Sequence, residues 1–145
     1  MAWCTVEDIL AALPEADVLG LVDDEGAGTL DAERLARVDT AIAEAGSLVD
    51  AHVAGKLVGV LAVPDILRLK CRDLAVYNLY RRRFPTAVPD SVTRDYREAL
   101  RLLEAIRDGK LQLGAESAVA PGVYRTNKTR DDRLFSTELL GRFGA

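Results

Sequence analysis

The chain has 145 residues, 49% of them hydrophobic and 29% charged, with a net charge of -4. That profile suits one globular domain with a real core and argues against an intrinsically disordered chain. No apolar run approaches the roughly 20 residues a membrane span needs. The opening "MAWCTVEDIL" has acids where a signal peptide needs a basic start, so expression in a cytoplasm is expected. Cys4 and Cys71 lie far apart, outside any CxxC spacing and with His52 as the single histidine. They read as buried reduced thiols rather than zinc ligands.

The charge is unevenly spread. Residues 1–67 hold 3 basic and 13 acidic groups, residues 68–109 hold 10 and 6, and residues 110–145 hold 6 and 4. An acidic first half joined to a basic second half suits electrostatically guided contact with further copies or a partner. It does not suit a protein that coats DNA.

Along the chain, "TVEDILAALP" predicts a first helix, with Thr5 as N-cap, Asp8 completing a capping box and Pro14 as the stop. "EADVLGLV" predicts at most a short helical turn closed by Gly20. A long second helix follows Asp31, with an apolar stripe through Leu35, Val38, Ile42, Ala45, Val49 and His52, and reaches roughly Leu57. His52 falls on that stripe and reads as a packed residue rather than a catalyst. The third helix begins at Pro64, is apolar on more than one face, and so belongs at the centre. A fourth amphipathic helix spans about residues 91–108, with Gly109 as its stop. "KLQLG" alternates like a short strand. The apolar "LFSTELLGRF" reads as a tail that docks on something else.

The fold expected is therefore all-α. A four-helix domain over residues 1–109 precedes a short strand or extended segment and a tail over 110–145.

The stretch "DDEGAGTLDAER" resembles a calcium loop. Such a loop places acids at positions 1, 3 and 5, glycine at 6 and a bidentate glutamate at 12. With Asp23 at position 1, Glu25 takes position 3, Gly28 position 6 and Asp31 position 9. Ala27 falls at position 5 and Arg34 at position 12, so two ligands are missing and no metal or other cofactor is expected. The remainder is a glycine-hinged acidic turn capped by Asp31. The cluster Arg81, Arg82 and Arg83 has three readings: a phosphate contact, a solvated helix end answering the helix dipole, or a subunit contact with the acidic half. No phosphate-cradling glycine loop and no nucleophile–base constellation is present, so no enzyme is expected.

The order of these features resembles the Mu-like phage family of small head-tail connector proteins. Three stretches carry the resemblance. They are "DDEGAGTLD", "PDILRLKCRDLAVYNLYRRR" with Asp73, Ala75, Tyr77, Leu79 and Tyr80, and "ALRLLEAIRDGKLQLG" from Ala99 to Gly114. The ending "LFSTELLGRF" is similar too, whereas Ala27 departs from the fuller acidic loop of other members. The resemblance implies a helical adaptor in a ring, commonly of twelve copies, below the portal of a tailed phage. Its partners would be the portal protein and a tail-side connector, stopper or tail terminator protein, with DNA passing through. It also implies a place in the virion, reached from the host cytoplasm, and no membrane. Portal docking would fall to Tyr124, Leu134, Phe135, Leu139, Leu140 and Phe143. Charge contacts between subunits would join Asp23, Asp24 and Glu25 to Arg81, Arg82 and Arg83. The alternative is a small DNA-binding or packaging accessory protein using the basic end of the third helix, and a third option is a calcium-regulated module.

Overall fold

The computed structural model describes residues 2–57, 63–111 and 113. The chain divides into two units, Met1–Ala115 and Glu116–Ala145, and the described residues all fall in the first. Among them the structure is all-helical: α1 (Val6–Ala12), α2 (Glu15–Val22), α3 (Ala32–Val53), α4 (Asp65–Arg83) and α5 (Asp90–Arg107).

Five helices replace the four expected, because "EADVLGLV" is a complete helix rather than a turn. Gly20 does not close α2. It lies exposed inside the helix with open space around its Cα. A solvent-side glycine costs a helix only about 1 kcal/mol, and burial of Val18, Leu21 and Val22 offsets it.

The capping chemistry acts where the sequence places it. The Thr5 hydroxyl accepts the Asp8 N–H while the Asp8 carboxylate accepts the Thr5 N–H, a complete capping box. Asp31 caps α3 by accepting the Arg34 N–H at 3.1 Å. That helix ends at Val53, earlier than the expected Leu57, because Gly55 turns left-handed at φ +74°. Gly109, also at φ +74°, ends α5 in a Schellman turn. Its N–H donates to Ile106 O and that of Lys110 to Ala105 O. Leu111 N–H returns to the same Ala105 carbonyl. Lys110 and Leu111 therefore close a helix end and do not begin the expected strand, and among the described residues there is none.

α4 is central, packing on each of the other four helices. Its Leu67, Cys71, Leu74, Ala75, Val76 and Leu79 are buried. They meet Val38, Ile42, Ala45 and Val49 from α3 and Ala99, Leu103 and Ile106 from α5 in one core. A helix apolar most of the way round has no solvent face to spare, which forces it inside. The α3 stripe rotates slightly from the expected one. Leu35 and His52 are half-buried, and the first buried position is an arginine, Arg34. The His52 ring Nδ1 lies 2.8 Å from Leu48 O, one turn back in its own helix.

Candidate functional site

The acidic loop between α2 and α3 wraps a guanidinium. Asp23 ends α2 and turns the loop around its own carboxylate. Oδ1 accepts the N–H groups of Gly26 and Ala27 at 3.0 and 3.1 Å, and Oδ2 accepts that of Gly28 at 2.9 Å. Gly26 and Gly28 make this possible with φ of +76° and +74°, a region costly for other residues.

Arg34, on the first turn of α3, reaches back into the ring so formed. Its Nε donates to Asp23 Oδ1 at 2.9 Å, one terminal nitrogen to Glu25 Oε2 at 2.8 Å, and the other to Asp31 Oδ2. These three acids hold positions 1, 3 and 9 of the calcium-loop pattern. The position-12 residue thus supplies the cation itself. Only 4% of the Arg34 side chain and 8% of the Asp23 side chain are exposed, whereas Glu25 and Asp31 are half in water. The planar fork of arginine can serve three acceptors at fixed angles, which a lysine ammonium on a single stem cannot.

A second layer ties the loop to the body. Arg37, one turn along α3, donates to Val22 O at 2.6 Å, Glu25 at 3.0 Å and Glu33 at 2.8 Å, and lies 3.3 Å from Asp24. From the last turn of α4, Arg82 grips Asp24 with both terminal nitrogens at 2.8 and 3.1 Å and also donates to Leu21 O. Arg83 adds a contact to Asp24 at 2.9 Å. Four arginines therefore face the five carboxylates of Asp23, Asp24, Glu25, Asp31 and Glu33.

The electrostatics follow from these contacts. The Gly28 N–H above all, then the Arg34 guanidinium and the Ala27 N–H, hold the Asp23 carboxyl far below the usual carboxylate range. Arg82 lowers the Asp24 carboxyl, and the Arg34 backbone N–H that of Asp31. Arg34 is pushed above its ordinary value by Asp23, and Arg37 by Glu25. Each of these shifts favours the charged form of the group.

The structure thus brings Asp23, Asp24 and Glu25 together with Arg82 and Arg83 inside one chain. Arg81 is exposed and forms no ion pair with another described residue. Tyr124, Leu134, Phe135, Leu139, Leu140 and Phe143 lie outside the described residues, as do Gln112 and Gly114 of the "KLQLG" segment. Sequence reasoning missed Arg37 and the positive use of Arg34. The signal was the basic residue at position 12, read as a missing ligand when it is a built-in counter-ion. It also missed the Trp3 indole N–H, which donates to Asp50 Oδ1 at 2.8 Å and pins the N-terminal segment to α3.

Comparison with known proteins gives this arrangement a setting. The description "Bacteriophage Mu, Gp36" matches residues 3–128, nearly all of the chain and the whole acidic loop. The chain is 35% identical over 83 residues to "Gene product J" of Escherichia phage Mu, covering 57% of this chain and 56% of that one. It is 31% identical over 80 residues to "Mu-like prophage FluMu protein gp36" of Haemophilus influenzae, covering 54% of each. The chain thus spans about half the length of these curated relatives. A match that runs through the loop, the central helix and α5 is extensive enough to assign membership: the chain belongs to the phage Mu Gp36 family.

Proposed function

We propose that this chain is a structural component of the phage particle, an adaptor at the head–tail junction. In this reading several copies, commonly twelve, form a ring below the portal, join head to tail and continue the DNA channel. The role is structural rather than catalytic. The observation that carries it is membership of the phage Mu Gp36 family over residues 3–128.

The charge pattern of the surface supports assembly from copies. After the internal network is taken out, the exposed acids Glu15, Asp17, Asp39 and Glu44 form no ion pair with another described residue. Nor do the exposed Arg81, Arg97 and Arg101. The first group lies on α2 and α3 and the second on α4 and α5, where α5 also carries the exposed Asp90, Glu98 and Glu104, likewise without an ion pair to another described residue. Unpaired acids on α2 and α3 and unpaired arginines on α4 and α5 suit a head-to-tail contact between copies, and such a contact repeated by a closing rotation makes a ring. Among the described residues no helix is long and apolar enough to cross a membrane.

The tail would attach to the portal through Tyr124, Leu134, Phe135, Leu139, Leu140 and Phe143. Deleting residues 134–145 is expected to leave α1–α5 folded, by circular dichroism, and to abolish co-purification with portal. Retention on portal at wild-type level would sink this attachment. The alternative, a DNA-binding accessory protein, needs the basic end of α4 free for phosphate. Arg82 and Arg83 are instead engaged by Asp24, which weighs against it.

A further inference from the structure

Cys4 and Cys71 meet although 67 positions separate them. Cys71 is fixed in the middle of α4 at 0% exposure, and Cys4 lies in the bend ahead of α1 at 2%. Their sulfurs are 3.4 Å apart, the Cys4 thiol donating to Cys71 Sγ. To reach the disulfide length of about 2.05 Å the sulfurs must close by about 1.4 Å. Cys4 is the partner able to make that move, because no helical hydrogen bond holds its backbone.

Burial alone would make this pair inert. An opening exists, however. A cavity of about 700 Å³ lies between the N-terminal segment and α3, and Cys4 lines it together with Trp3, Ile42, Gly46, Ser47 and Asp50. That volume admits a small reagent as far as Cys4, the one cysteine of the pair that lines it. Once Cys4 gives up its proton, the Cys71 thiol can turn to donate to the Cys4 thiolate, which favours ionisation at Cys4 first, while that bond and burial hold Cys71 protonated.

We propose that Cys4 and Cys71 form a latent redox site, a dithiol that a small-molecule disulfide such as oxidised glutathione converts to an intramolecular disulfide. The Cys4 thiolate attacks one sulfur of the reagent, forming a mixed disulfide and releasing one glutathione thiolate. Cys71 then gives up its proton, attacks Cys4 Sγ and releases the second glutathione. Two protein thiols lose two electrons in total, one glutathione disulfide gains them, and both protons end on the released thiols. The new bond closes a 67-residue loop containing α1, α2 and α3 and staples the N-terminal segment to the central helix. The site stands independently of the connector reading. On that reading, oxidation would follow when a particle assembled in a reducing cytoplasm leaves the cell.

The full-length protein is incubated without denaturant in oxidised glutathione, quenched with an alkylating reagent, digested and mapped by mass spectrometry. A Cys4–Cys71 linkage in monomeric chains is expected, with a Tm raised by roughly 10 °C and restored by dithiothreitol. Cys71→Ser should stop at one glutathione on Cys4 with no gain in Tm. The wild-type protein with and without dithiothreitol carries the test should that variant fail to fold. Thiols that stay reduced in the native protein, that react only in unfolding urea, or that link two chains would overturn the proposal. So would a linkage that leaves Tm unchanged or lowers it.

Discussion

Arg34→Ala removes the single cation shared by Asp23, Glu25 and Asp31. Removing one side of a buried ion cluster is strongly destabilising, because the other side keeps its charge out of water. Two features moderate that cost here. Glu25 and Asp31 are 55% and 50% exposed, so solvent takes up most of their released charge. Asp23 keeps its three backbone N–H donors. The loss therefore falls mainly on one buried carboxylate and on the packing of the arginine stem. We expect Tm to drop by roughly 10 °C, with faster amide exchange at Gly26, Ala27 and Gly28. Arg34→Lys keeps the charge but not the three-way fork, so about half the drop should remain. Thermal melts followed by circular dichroism, together with hydrogen exchange, measure both. A fall of less than about 2 °C for Arg34→Ala would refute the claim that the guanidinium organises this loop.

Three further outcomes follow from the same structure. Asp23, Asp24, Asp31 and Asp108 titrate below their unfolded values, so the stability they give is present above the ordinary carboxylate range and lost as pH falls from it through their lowered folded-state values. Tm should stay level from about pH 7 to 5 and decline progressively below about pH 4, and a profile flat to about pH 2 would contradict this. Leu74→Ala, at a position with 0% exposure in the central helix, should cost about 3 kcal/mol in urea unfolding; a loss under about 1 kcal/mol would show that α4 is not the core helix described here. Calcium titration should give no binding heat with the wild type, whereas Ala27→Asp with Arg34→Glu supplies the missing carboxylates around a Gly28 already turned at φ +74° and should bind calcium in the sub-millimolar range. Calcium heat with the wild type, or none with the double variant, would count against the guanidinium standing where a metal would.

What could be read from the sequence was local. Thr5 with Asp8, Asp31 and Gly109 each act within one turn of their own position, so their roles survive whatever the rest of the chain does. The central place of α4 was legible for a similar reason, since its apolar residues leave no face for water. α2 was not, because Gly20 is a breaker by propensity and only the burial of Val18, Leu21 and Val22 against neighbouring helices overrides it. The loop was half legible. Its turn and cap were visible, but the sign of Arg34 argued only against metal until the fold showed what that charge faces. The grip of Arg82 on Asp24 spans 58 positions. Complementary charge at that separation states that a contact is favourable, not whether it forms within one chain or between two. The sequence predicts two buried thiols, and both are buried, but no spacing rule could place Cys4 beside Cys71.

The central claim is assembly at the head–tail junction, and electron microscopy of the purified full-length protein, alone and mixed with its phage's portal protein, tests it most directly. The connector account predicts closed rings of this protein seated on one end of the portal, with a continuous axial channel. Portal particles unchanged by an excess of the protein, with no rings in either sample, would contradict it.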